Sequence, residues 1–300
     1  MKTLRSIVIF LALVVVGYNV FIWSITFDKS ELDNITNGEV MVVGHGGVGF
    51  SSLFPFKRYP SNSYGSLFKA LNEYSVDGVE IDVHRTSDGK FVLFHDGKLD
   101  NNTALTGCTG DKTLKELQST RYQLGVPFDW FQSEYIIGFE ELIDSLHQRN
   151  EFPFLHLDVR NWNECSTPQE NAILEHLIAA ELIQFLNDKQ VPLDRILIIS
   201  LSQTFLNELK TQNNPYPVSF EIVGRELEFL QWAIDYGVES VTVKPKLLTK
   251  EISKLAHQAG IKVITFGAKS KSGNKKLLGL NPDVIQTDNI PALKDLMGYE

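Results

Sequence analysis

Short apolar runs rich in β-branched residues recur along most of this chain, and stretches with helical periodicity separate them. The runs fall at Val40–Val43, Gly78–Val83, Lys90–Phe94, Phe152–Val159, Arg195–Ser200, Val218–Ile222, Ser240–Val243, Lys262–Phe266 and Asp283–Thr287. Between most of them, apolar side chains spaced i, i+3, i+4 predict helices over Ser66–Tyr74, Phe139–Arg149, Glu170–Lys189, Gln203–Thr211, Glu226–Tyr236, Lys250–Ala259 and Ala292–Met297. Strands joined through helical crossovers pair in parallel. The pattern therefore predicts an α/β fold, and its strand count fits a closed TIM (β/α)8 barrel, with a doubly wound open sheet as the alternative. No GxxxxGK[ST] loop supports nucleotide binding. One stretch breaks the rhythm. Gly97 to Tyr135 is turn-rich around Asn101, Asn102, Gly107, Gly110 and Asp111 and partly helical at Thr113–Tyr122. It reads as a small inserted segment, about 97–135, over the barrel end that carries His95.

Ahead of the barrel, Ser6 to Phe27 is apolar enough, over about 20 residues, to cross a bilayer as a transmembrane helix. Lys2 and Arg5 precede it, which predicts a cytoplasmic N-terminus and an extracytoplasmic remainder, periplasmic or extracellular. A cleaved signal peptide is the competing reading. The bulky Tyr18, Phe21 and Trp23 and the missing small-x-small site favour an uncleaved anchor. Residues 1–27 are thus read as anchor or signal, 28–39 as a polar tether and 40–300 as the barrel, about 260 residues, a usual size for that fold. The net charge of −9 leaves no basic stripe for nucleic acid and argues against binding anionic lipid by charge alone. Cys108 and Cys165 are the two cysteines; outside the cytoplasm they can form a disulfide or stay as two thiols.

The chemistry concentrates in Gly78 to Asp96, GVEIDVHRTSDGKFVLFHD. Alternate side chains of a strand share a face, so Glu80 and Asp82 project together. Two carboxylates at one strand end make an oxygen-rich site for a hard divalent cation. His45 and His95 follow the apolar runs MVVG and FVLF, so both are expected at strand ends. A cation-binding pair flanked by two histidines equips a site for acid–base cleavage of a phosphoester. His84 shares the Glu80/Asp82 face but is read as a plain residue exposed at the strand end.

His45-Gly46-Gly47, the Gly78–Asp96 stretch and TALTGCTGDKTLKEL together resemble the glycerophosphodiester phosphodiesterase family. Members are TIM barrels with a small insertion, and their signature runs H-R-G, E-x-D-V, T-x-D-G, H-D, T-x-G and an E-L helix. IGFEELIDSL (137–146), FLHLDVR (154–160), AHQAGIKVITF (256–266) and NPDVIQTDNIPAL (281–293) resemble later family segments in the same order. The resemblance implies Glu80, Asp82 and Asp158 as ligands of Ca²⁺ or Mg²⁺, with Asp158 in place of the usual glutamate. It implies His45 and His95 as the acid–base pair and Arg160 as a phosphate contact in place of a lysine. The attacking oxygen would belong to water or to the neighbouring glycerol hydroxyl. Two departures stand out: the arginine of H-R-G is Gly46, and P-E-N-T is Pro60-Ser61-Asn62-Ser63. Lys57 or Arg58, from the apolar and basic loop 49–60, is expected to replace the lost arginine. Asn62 and His156 are expected to support the ligands by hydrogen bonds. The implied activity releases glycerol 3-phosphate and an alcohol from a small glycerophosphodiester. A lysophospholipase D or sphingomyelinase D-like action on membrane lysolipids is the alternative; Phe54, Phe56, Phe128 and Trp130 read equally as a lipid-facing mouth or as ordinary core under a long loop. A non-catalytic phosphoester-binding barrel is a third reading, but pure binding does not require two histidines.

Overall fold

The protein is described from a computed structural model covering residues 7–299, apart from 8, 11, 12, 15, 16, 18, 19, 23 and 51–58. Part of the expected transmembrane helix therefore lies outside the described residues, as do Lys57, Arg58, Phe54 and Phe56. No helix among the described residues is long and apolar enough to cross a membrane.

A parallel strand is covered on both faces, so its residues are buried in sequence rather than alternately. Gly78–Arg85 (β2) shows this, with all but Arg85 buried. The other barrel strands are Met41–Gly44 (β1), then, after two short strands, Phe154–Arg160 (β5), Ile196–Ser200 (β6), Val218–Ile222 (β7), Ser240–Val243 (β8), Lys262–Phe266 (β9) and Val284–Thr287 (β10). They pair in parallel in the order β1-β10-β9-β8-β7-β6-β5-β2, and β1 pairs with β2 as well, which closes the ring. Closure removes the two edges that an open sheet would expose, and the open-sheet alternative falls.

Side chains alternate across this wall. Val79, Ile81 and Val83 point outward into the main core with Leu155, Leu157 and Val159, under the helices. Inside, Val43, Leu197, Ile199, Ile264 and Val284 form a separate apolar plug. The polar groups stand above that plug, toward the C-terminal ends of the strands.

Two expectations need correction. Lys90–Phe94 is not a barrel strand: Phe91–Leu93 (β3) runs antiparallel to β2, with Val83 opposite Leu93. The turn joining them, closed by Thr86 N donating to Lys90 O, is too short for a crossover, which needs about a dozen residues. Lys271–Leu278 is a helix that the apolar spacing did not predict. Its first turns carry lysines, Gly273 and Asn274 rather than an apolar stripe, and its start is set by the Ser270 cap.

The inserted segment is tied to the barrel on two sides. Ile137–Gly138 (β4) pairs with β3, and Val92, Phe94, Leu99, Leu117, Tyr122 and Ile136 form a small core of their own. The expected helix at Thr113–Tyr122 is shorter, Leu114–Gln118, opened by a Thr113/Glu116 capping box. Of the two readings of the cysteines, the disulfide is the one found. Cys108 of the insertion bonds Cys165 of the loop after β5 and closes a sequence separation of 57. A cross-link over that length restricts the unfolded chain and stabilises the fold by up to about 4 kcal/mol.

Candidate active site

Strand alternation carries Glu80 and Asp82 of β2 and Asp158 of β5 to the inner wall of the barrel mouth, Asp82 in register with Asp158. One oxygen from each of the three lies within 4.8 Å of the others. Glu80 and Asp82 are almost fully buried. Like charges this close resist joint ionisation. Burial, then the Asp82 and Asp158 charges, push Glu80 well above the ordinary carboxyl range. Burial raises Asp158 too, against the pull of Arg160. For Asp82 the burial cost is outweighed by Arg160, so its carboxyl stays below the ordinary range.

Two neighbours hold this cluster. The Asn62 amide donates to Asp82 Oδ2 at 2.7 Å, and Asp82 N donates to Asn62 Oδ1 at 3.0 Å. Asn62 has φ +63°, a left-handed conformation that asparagine tolerates better than most residues. Arg160 Nε donates to Asp82 Oδ1 at 3.0 Å, and its Nη2 contacts both Asp82 and, at 2.9 Å, Asp158. Glu80 accepts from Gly46 N at 2.8 Å. Three hard oxygen donors, clustered and mutually repelling, fit a divalent cation, which would relieve that repulsion.

Each histidine is paired with a carboxylate. His45 Nδ1 lies 2.8 Å from Asp288 Oδ1, and its Nε2 stands 3.9 Å from Glu80. Burial works to raise Asp288, but the bonds from His45 and from Phe50 N–H hold it below the ordinary range. An ionised carboxylate only accepts, so Nδ1 carries the proton and Nε2 is left free to accept one. His95 Nδ1 lies 2.7 Å from Asp96 Oδ1, and Asp96 Oδ2 accepts from Asn102 of the insertion at 2.6 Å. Burial would lower His95, but Asp96 and Asp82 outweigh it and the imidazole is raised above its ordinary value.

The ring of Phe50 sits between the two histidines, 4.5 Å from His45 and 4.8 Å from His95 between centroids. Gly46 has φ +56°, and a Cβ there would come within 2.8 Å of the Phe50 ring and 2.7 Å of Ser61 Cβ. Any side chain at position 46 would therefore meet the Phe50 ring and Ser61, for which glycine leaves room.

Other expectations fare differently. His156 is inside the barrel, but it accepts from Gln286 Nε2 at 3.1 Å and bonds none of the three carboxylates. Burial pushes it down to about 4, so it is a neutral interior residue, a correction to its expected supporting role. His84 is buried, not exposed, and its Nε2 has no partner among the described residues. Arg160 also borders a cavity of about 310 Å³ lined by His84, Trp162, Asn163 and Leu177. Sequence reasoning passed over Asp96, Asp288 and Glu221. The first two stood in the quoted H-D and T-D segments, and for Asp96 alone adjacency to a site histidine was an available signal. Glu221 carried none beyond a lone charge in an apolar run.

The glycerophosphoryl diester phosphodiesterase family model matches residues 54–292. A glycerophosphodiester phosphodiesterase of Bacillus altitudinis is 24% identical over 238 residues, covering 77% of this chain and 90% of that protein. One from Caldanaerobacter subterraneus is 22% identical, covering 80% and 93%. Among solved structures, a glycerophosphoryl diester phosphodiesterase of Silicibacter pomeroyi superposes with a TM-score of 0.71 at 20% identity, covering 87% of this chain and 95% of its own. A phosphodiesterase of Oleispira antarctica, solved in complex with the product sn-glycerol-3-phosphate, has a TM-score of 0.71 at 20% identity, covering 86% and 97%. The structures share the fold. With the family model spanning most of the barrel, this chain belongs to the glycerophosphoryl diester phosphodiesterase family.

Proposed function

We propose that the chain hydrolyses glycerophosphodiesters to glycerol 3-phosphate and an alcohol by cation-assisted acid–base catalysis. The observation that carries this is the meeting, at one barrel mouth, of three clustered carboxylates with two histidine–carboxylate pairs. Glu80, Asp82 and Asp158 would hold Ca²⁺ or Mg²⁺, which when bound supplies positive charge to offset that on the phosphoryl oxygens. Arg160 adds a fixed positive charge beside the same oxygens. His45, proton on Nδ1, takes a proton from the attacking oxygen at Nε2, and Asp288 steadies the imidazolium that forms. His95, biased by Asp96 toward its protonated form, delivers a proton to the departing alcohol. The Cys108–Cys165 disulfide supports the extension of this proposal to an oxidising, extracytoplasmic location with the N-terminal segment as anchor.

The test is glycerol 3-phosphate release from glycerophosphocholine and glycerophosphoethanolamine by the full chain, stripped with a chelator and then given Ca²⁺ or Mg²⁺. Product that returns with the cation is expected; none with either cation would refute the reading. Release by intact cells equal to that by lysed cells is expected of an external domain, and release only after lysis would refute the location. Val126 and Trp130, apolar and exposed on the insertion, favour a second reading, a lysolipid substrate at a membrane. Choline release from lysophosphatidylcholine in the same assay, exceeding that from glycerophosphocholine, would select it.

The two histidines differ in a way that pH can read. Asp96→Asn removes the charge that raises His95, so the proton donor is lost at lower pH. The alkaline limb of kcat/KM should move down by on the order of one pH unit. Movement of the acidic limb instead would exchange the roles of His45 and His95.

A further inference from the structure

Ser219 of β7 meets Thr242 of β8 inside the barrel, hydroxyl to hydroxyl at 2.9 Å. Glu221, two residues along, shares that face, while Phe220 and Ile222 pack outward in the main core. Its carboxyl thus stands in the mouth, across β6 from Asp158. It is half-buried, and it makes no hydrogen bond or ion pair among the described residues, whereas Glu80, Asp82, Asp158, Asp96 and Asp288 all do. Nor is it one of the carboxylates clustered for a cation. Burial and the Asp158 charge push it up to about 7, while Arg160 and, less, Lys244 on the rim after β8 pull the other way. A carboxylate only accepts hydrogen bonds, and one at the mouth without a protein donor can take donors from a ligand.

We infer that Glu221 and Lys244 form the subsite for the glycerol moiety, Glu221 accepting hydrogen bonds from its hydroxyls and Lys244 donating to them. This rests on the phosphodiesterase reading. A phosphate held at the β2–β5 wall leaves the β7–β8 wall facing one of its two substituents. A vicinal diol offers donors to the carboxylate and acceptors to the ammonium. A cationic alcohol such as choline would meet repulsion from Lys244, so the diol is the better match for this pair.

The test is calorimetric binding of sn-glycerol 3-phosphate and of ethyl phosphate, which lacks both hydroxyls, to the full chain with Ca²⁺ present. The wild type should prefer glycerol 3-phosphate by about 10- to 100-fold, the range of a hydrogen bond to a charged group. Glu221→Ala should bind both alike, and Glu221→Gln, which keeps an acceptor, should recover part of the preference. A preference that survives Glu221→Ala, or a wild type without one, overturns the subsite. The measurement needs no turnover, so failure of the phosphodiesterase reading would show separately, in the product assay.

Discussion

Glu80→Gln is expected to lower cation-dependent turnover by about 10³-fold or more while making the cation-free protein more stable. The two effects share one cause. Glu80 is buried beside Asp82 and Asp158, and its folded-state carboxyl titrates well above the ordinary value of 4.5. A carboxyl raised in the folded state contributes stability that is present below its unfolded value and is lost as pH rises through the folded one. At neutral pH the cation-free wild type therefore bears a destabilising carboxyl. Glutamine, isosteric and uncharged, removes that term and flattens stability against rising pH. It also removes one of three charges expected to bind the cation. Thermal unfolding should show a higher midpoint for the cation-free variant and a much smaller rise on adding Ca²⁺ or Mg²⁺. A variant that keeps both turnover and the cation-dependent rise would exclude Glu80 as a ligand. A variant less stable than the cation-free wild type would mean that the Gly46 N–H bond outweighs the repulsion.

Asp288→Asn should reduce kcat by about 10²-fold or more with little change in KM, and without loss of cation binding. Asp288 is buried and ionised against His45 Nδ1. Its charge stabilises the imidazolium only once His45 has taken a proton, so its removal weakens the transition state more than substrate binding. The amide can also turn its NH2 toward the ring and select the wrong tautomer. Asp288 Oδ1 accepts from Phe50 N at 2.9 Å as well, an approach allowed by Gly49 at φ +99°, so the same carboxylate places the ring between the histidines. Steady-state kinetics with calorimetric cation binding separates the outcomes. A kcat within about threefold of wild type would leave His45 without need of its partner, and lost cation binding would mark a structural defect.

The barrel was legible because each β/α unit advertises itself locally. Short β-branched-rich runs marked β2 and β5, and apolar i, i+3, i+4 spacing marked most helices. Lys90–Phe94 misled because an apolar run does not state its partner, and only the tight Thr86–Lys90 turn makes it a hairpin. Lys271–Leu278 escaped because capping and tertiary packing, not an apolar stripe, define it. Within the site, Glu80 and Asp82 were readable from their spacing of two, a property of a single strand. Asp158 and Arg160 came through the family resemblance, and their register with Asp82 and His84 shows why they meet.

By itself, then, the amino-acid sequence determined which residues share a strand face and which strand ends carry acids and histidines, since these depend on neighbours a few residues away. The tertiary structure decided the rest. It closed β1 onto β2 and paired His45 with Asp288 across a separation of 243 residues. It joined Cys108 to Cys165, set Phe50 between His45 and His95, gave His156 to Gln286, and left Glu221 facing the site without a hydrogen bond among the described residues. The reason is physical: such contacts depend on barrel curvature and on which side chains from distant strands reach the same layer, and no local periodicity encodes either.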